Sequence, residues 1–190
     1  MRVSSLGLVW VLSVSGVLLA LVGCNATPSK FSPGEYVVDP ARPYHLTSAR
    51  TVLVCAAFDG LTAEEHEKFT PGFSPAAFLT SAEEKELSAT GINHERVGFP
   101  YAPSFDGIQK ALATGSLATN GALVLAGEIN HIPSNHVISC DFRLYSQHGD
   151  LLFTKRCLCI DELGASGWLF APRMVMQQLF GDPDFQRAIQ

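Results

Sequence analysis

Residues 122–160 read ALVLAGEINHIPSNHVISCDFRLYSQHGDLLFTKRCLCI, and their patterning decides the fold. Three runs rich in β-branched and large apolar residues, Ala122 to Ile132, Val137 to Tyr145 and Leu151 to Ile160, are separated by Pro133-Ser134-Asn135 and Gln147-His148-Gly149. Strand-forming runs broken by turn residues at this spacing predict an antiparallel meander of three strands. A tight turn on His148-Gly149 puts Cys140 opposite Cys157, and one residue more or less in the loop would undo that pairing.

Working upstream, the pattern alternates between strands and helices. Thr51 to Phe58 (TVLVCAAF) is a short apolar run opened by β-branched residues, as expected of a strand covered on both faces. Thr62-Ala63-Glu64-Glu65 has the spacing of a capping box and predicts a short helix to about Phe69, stopped by Pro71-Gly72. Ser74-Pro75 is a cap followed by proline in the first helical position, and Phe78, Leu79, Ala82 and Leu87 give the next helix an apolar side that ends at Gly91. Ile92 to Val97 predicts a brief strand, followed by a turn-rich loop at Phe99 to Pro103. Ser104 caps a further helix with Ile108, Ala111 and Leu112 on one side, Asp106 in its first turn and Gly115 at its end. Downstream of the meander, Ala171-Pro172 predicts the start of a helix closed by Gly181, and Asp182-Pro183 a last helical turn through Phe185 and Ile189. Strand, helix, strand, helix, three strands, helix is the order of an α+β domain. Two layers are expected, with helices packed on a mixed sheet that ends in the three-stranded antiparallel meander.

The composition agrees with one such domain. In 190 residues there are 13 Lys+Arg and 18 Asp+Glu, a formal charge of −5, with 47% hydrophobic and 16% charged residues. Disorder needs low hydrophobicity with high charge, and nucleic-acid binding through the backbone needs a basic surface, so both are excluded as classes. The apolar residues are concentrated at the start, where Arg2 precedes the run Leu6 to Leu21 (LGLVWVLSVSGVLLAL). A short cation followed by an apolar stretch below the roughly 20 residues of a spanning helix has the form of a leader peptide.

Leu21-Val22-Gly23-Cys24 resembles the lipobox of bacterial lipoproteins, a branched apolar residue and a small pair before cysteine. The resemblance implies that the Cys24 sulfur is alkylated with diacylglycerol, that the lipoprotein signal peptidase removes residues 1–23, and that the new amino group is open to acylation. Gly23 leaves room for backbone and lipidated sulfur to come close together. Two or three acyl chains at about 0.8 kcal/mol per buried methylene hold a protein on a bilayer almost permanently, whereas one does not. In the enteric sorting rule, Asp after the cysteine favours inner-membrane retention; Asn25 therefore implies the inner leaflet of the outer membrane, facing the periplasm. Residues 24–50 are expected to be the lipidated cysteine and a tether, with prolines at 28, 33, 40 and 43. As flexible chain it spans about 25 to 30 Å. Tyr36-Val37-Val38 offers an alternative, docking on the domain as an edge segment. Residues 51–190 form the expected single periplasmic domain.

The order of elements behind such an anchor and tether is similar to that of small envelope lipoproteins: auxiliary lipoproteins of ABC-type lipid or solvent transporters, and lipoproteins that activate penicillin-binding proteins or build secretion channels. The likeness covers most of residues 51–180 and is most specific in the hairpin Cys140 to Phe153. It carries over no functional residue.

Cys55, Cys140, Cys157 and Cys159 are an even set in a compartment where disulfides persist. A bridge from Cys140 to Cys157, or from Cys55 to one of the others, stands against four small buried hydrophobes. Cys157 and Cys159 share a strand face and do not readily bridge each other, and their one-residue gap lacks zinc-knuckle spacing, so no metal and no cofactor is expected. Ser74 lacks the buried strand that a nucleophile elbow requires, and His66-Glu67 lacks a second histidine at position 70, where Thr70 stands. His131 and His136 flank a turn without a carboxylate pattern around them. Trp168 and Phe170 follow the flexible Gly164-Ala165-Ser166-Gly167, and Tyr101 sits in its proline-rich loop; these are the candidate partner contacts, with burial of both aromatics on the sheet as the alternative for Trp168 and Phe170. The expected function is a non-catalytic, lipid-anchored accessory module that binds an envelope protein in transport or assembly. A lipid or small-molecule carrier would need a large apolar cavity, and an envelope hydrolase a cleft with convergent polar groups.

Overall fold

In the computed structural model the three strands of the meander are β4 (Leu123–Ile132), β5 (Val137–Tyr145) and β6 (Leu151–Ile160). The structure describes residues 36, 38, 46, 49–66, 74–98, 104–132, 137–160 and 167–190, without the side chains of 65–66, 131–132, 137–138, 159–160 and 167–172. Ahead of the meander come β1 (Val52–Cys55), β2 (Phe58–Asp59), α1 (Ala63–His66), α2 (Pro75–Ala89), β3 (His94–Val97) and α3 (Phe105–Ala113); behind it come α4 (Gly167–Phe180) and α5 (Pro183–Ile189). The sheet order is β3-β1-β4-β5-β6, with β2 also paired to β4. β1 runs parallel to β3 and β4, while β4-β5 and β5-β6 are antiparallel, so the sheet is mixed and the fold is α+β.

The second turn pairs Tyr145 with Leu151, and a one-residue irregularity between Leu144 and Tyr145 then shifts the register of the rest of the hairpin. Leu144 faces Phe153, and Cys140 faces Cys157. Gly149 has φ +89, and a side chain there would meet the Gln109 carbonyl at 2.9 Å, so the turn closes down on α3.

Alternation along the strands sends residues to two cores. Val52, Val54, Leu123, Leu125, Ile129, Phe142 and Leu144 face one side, where Phe78, Leu79 and Leu87 of α2 and Val175, Met176 and Leu179 of α4 cover them. Leu53, Cys55, Val124, Ala126 and Tyr145 face the other, under Phe105, Ile108 and Leu112 of α3. α3 therefore adds a partial third layer over the parallel end and meets the outer face of the distal meander through Phe105 at its start.

The helix caps have the residues that physical chemistry prefers. Ser74 Oγ accepts from the Ala77 amide at 3.2 Å, Ser104 Oγ from the Gly107 amide at 3.1 Å, and Asp182 Oδ1 from the Asp184 amide at 2.8 Å.

Three local expectations change. The run from Thr51 to Phe58 is not one strand: the Ala57 amide donates to the buried Thr80 hydroxyl at 2.8 Å, which breaks the ladder between β1 and β2. The terminal helix begins at Gly167 rather than Ala171, so Pro172 lies inside it and Trp168 and Phe170 are in its first turns, not on a mobile segment. Within the expected tether, the described residues Tyr36, Val38, Leu46 and Ala49 lie against the domain, which for Tyr36 and Val38 is the docked alternative. Tyr36 is 3% exposed, and Val38, Leu46 and Ala49 pack against the same core. The Tyr36 hydroxyl donates to Glu86 Oε1 at 2.5 Å, Lys85 Nζ donates to the Tyr36 carbonyl at 2.6 Å, and the Arg50 amide donates to the Ile189 carbonyl at 3.0 Å. Tyr36→Phe is expected to destabilise the domain by about 1–3 kcal/mol, the cost of removing a hydrogen bond to a buried carboxylate. Urea unfolding of the two chains checks it.

Candidate functional site

The outer face of the distal meander is polar at its centre, where Glu128, Asp141, Arg143, Thr154 and Arg156 fall on neighbouring positions of three paired strands. Glu128 of β4 faces Asp141 of β5, Asp141 faces Arg156 of β6, and Arg143 faces Thr154. Together with Phe105 at the start of α3 these residues line an open concavity of about 460 Å³.

Two carboxylates opposite each other on adjacent strands repel. Arg156 offsets this by gripping Asp141 with both arms of its guanidinium, Nε at 2.6 Å and Nη2 at 2.7 Å. That hydrogen bonding, more than the surrounding charge, raises the Arg156 pKa above its ordinary value. The pair is asymmetric in exposure: the Arg156 side chain is 63% exposed and that of Asp141 19%. Its contribution to stability is therefore small, about 0.2–1 kcal/mol. Arg143 lies with its guanidinium carbon 4.3 Å from the centroid of the Phe105 ring, and Phe105 in turn meets Phe58 edge-on at 5.0 Å. This stack fixes a cation that a loose arginine would not present in one place.

At either end of the groove stand exposed leucines. Leu158, 49% exposed, lies on the strand face of Thr154 and Arg156, and Leu152, 41% exposed, sits at the register irregularity beside the turn. Gln178 of α4 holds the Leu158 main chain from outside: the Leu158 amide donates to Oε1 at 3.1 Å and Nε2 donates to the Leu158 carbonyl at 2.9 Å. The result is a rigid strip with fixed charges at its centre and apolar side chains at its ends. Its acid Asp141 is engaged by an arginine, and its lining sets two acidic and two basic side chains side by side.

The residues singled out from the sequence fall elsewhere. Cys24 and Tyr101 lie outside the described residues, and the side chains of Trp168 and Phe170 do as well. Cys140 and Cys157 meet across β5 and β6 as expected, but both are buried thiols rather than a bridge, as is Cys55. Burial pushes the Cys55 and Cys157 thiols up to about 12, which keeps them in the unreactive protonated form. Among the described residues no group of three His, Cys, Asp or Glu side chains is placed to hold a metal ion, and no helix is long and apolar enough to cross a membrane. Ser74 and Asp106 act at helix starts. The groove itself was missed, although the counting that puts Cys140 opposite Cys157 also puts Asp141 opposite Arg156.

No protein-family model matches the chain, and no curated protein matches it in sequence. Solved structures similar to it include the lipoprotein GNA1162 of Neisseria meningitidis, at 12% identity and TM-score 0.34 over 59% of this chain and 81% of that one. A neuraminyllactose-binding hemagglutinin homolog from Helicobacter pylori aligns at 8% identity and TM-score 0.46, over 81% of this chain and 96% of that one. The LpoB C-terminal domain from Salmonella enterica aligns at 11% identity and TM-score 0.36, over 60% and 84%.

Proposed function

We propose that this chain is a lipid-anchored lipoprotein of the cell envelope, held by acyl chains on Cys24 at the periplasmic face of the outer membrane. Its domain is a non-catalytic module that docks another envelope protein on the outer face of the meander. The observation that carries the docking is the groove of Glu128, Asp141, Arg143, Thr154 and Arg156, fixed by register and by the Arg143–Phe105 stack. The anchor rests on the lipobox resemblance of Leu21-Val22-Gly23-Cys24. A surface with preset opposite charges and flanking leucines suits a protein partner, since electrostatic complementarity sets register and encounter rate while the apolar ends contribute affinity.

A photo-crosslinking residue at position 154, in cells, tests this. One discrete adduct is expected. Arg143→Glu combined with Arg156→Glu should cut its yield roughly tenfold, the effect of losing one hot-spot contact. The same pair should cost the fold no more than about 2 kcal/mol, because both arginines are surface groups. An adduct indifferent to both reversals, or formed equally from a probe at Arg187 of α5, would place the contact elsewhere.

A further inference from the structure

Glu83, in the middle of α2, is 0% exposed, and neither carboxyl oxygen has a hydrogen-bond partner among the described residues. It occupies a notch made by a glycine. A Cβ at Gly127 of β4 would stand 3.0 Å from Glu83 Oε1, 3.1 Å from Phe142 Cε1 and 3.2 Å from Leu79 Cδ2. A carboxyl group in such a place is stable only when neutral, because an unpaired charge in an apolar interior has neither water nor a counter-ion. Among the described residues none is supplied, and α4 turns Val175, Met176 and Leu179 to this core while its one described charge, Arg173, is exposed. On α2 itself, Glu84 is gripped by Arg96 at 2.7 and 2.5 Å, Glu86 accepts from the Tyr36 hydroxyl, and Lys85 donates to the Tyr36 carbonyl. From β3 the one cation is Arg96, already bound to Glu84; from β1 the titratable group is the Cys55 thiol. β4 and β5 present Gly127 and Phe142 here, since Glu128, Asp141 and Arg143 line the opposite face.

We propose that Glu83 is a proton-operated latch: neutral, it seats α2 in the Gly127 notch, and on losing its proton it loosens α2 from the sheet. The device acts on the face opposite the groove and does not depend on the docking reading. It also reaches the N-terminal segment. Tyr36 is bonded to Glu86 and Lys85 of the same helix, so a shift of α2 is felt at Tyr36.

The sign follows from burial, which raises the Glu83 carboxyl well above its ordinary value, with Glu84 adding to the rise and Arg96 opposing it. The seated state holds a proton that the unseated state has lost. Seating is therefore strongest on the acid side and weakens as pH rises from the ordinary glutamate range toward the raised folded-state value. The change is at most about tenfold in the seating equilibrium per pH unit.

The experiment is hydrogen exchange of the full chain in detergent micelles between pH 5.5 and 8.5, corrected for intrinsic chemistry, together with carbon-13 NMR of the Glu83 carboxyl. For the wild type, α2 protection should fall with pH by up to tenfold per unit, and the Glu83 carboxyl resonance should titrate well above the ordinary carboxylate range. In Glu83→Met the α2 protection should be flat with pH. Parallel exchange in the two chains would overturn the latch. So would a Glu83 resonance titrating in the usual carboxylate range, a reading that needs no variant to fold.

Discussion

Gly127→Val is expected to destabilise the domain by about 3 kcal/mol, the upper part of the range for overpacking a tight core. For a domain of this size that lowers Tm by roughly 6 to 12 °C. In an ordinary strand the exchange would favour folding, since valine has higher β-propensity than glycine and loses less backbone entropy. Those gains total about 1 kcal/mol and are outweighed here. The first carbon alone would approach Glu83 Oε1 and Phe142 Cε1 at 3.0 and 3.1 Å, and valine adds two methyl groups beyond it. Phe142 is 0% exposed and Leu79 1%, so neither has free space to enter. Removing the carboxyl should recover part of the loss: Glu83→Ala in the Gly127→Ala background is expected to be less destabilising than the two single changes summed. Thermal unfolding of the four chains of that cycle measures the coupling. Strict additivity would mean that Glu83 does not occupy the notch.

The second large effect concerns the anchor. Exchanging residues 1–24 for an ordinary cleavable secretory leader is expected to move the protein from the membrane fraction to the soluble periplasmic fraction. Each acyl chain that buries about 14 methylenes contributes on the order of 10 kcal/mol. Loss of two or three chains therefore exceeds anything the domain's surface charges can replace, since each rim charge is worth about 1 kcal/mol or less. Fractionation with and without detergent checks it. A chain that stayed on membranes after the exchange would show that the domain, not Cys24, holds it there.

What was legible in the sequence is what local chemistry determines. The meander followed from alternation and two turns, and the Cys140–Cys157 pairing is as expected, although it is reached through an irregularity at Leu144–Tyr145 that the loop residues do not announce. Ser74, Ser104 and Asp182 follow the spacing of caps, and they are caps. Where long-range contact overrides local preference, the reading fell short. Pro172 has the local look of a first helical position, yet the helix starts at Gly167. Prolines around Tyr36 leave free chain and docking of Tyr36-Val37-Val38 both open, and nothing near it in sequence announces Glu86, fifty positions away. Glu83 and Glu86 carry no local mark in the sequence. Only their spacing from Leu79 and Leu87 puts them on the apolar side of α2, where both are buried. The groove needed cross-strand register from three strands at once, whereas a search for nucleophiles, histidines and metal spacing passes over it.

The central claim is that a thioether lipid on Cys24 holds this module at a membrane. Intact-mass spectrometry of the mature protein, purified from the envelope in detergent, tests it most directly. The expected product begins at Cys24 and carries the mass of a diacylglyceryl group, with or without an N-terminal acyl chain; a mature chain with residues 1–23 still attached, or with an unmodified Cys24 thiol, would contradict it.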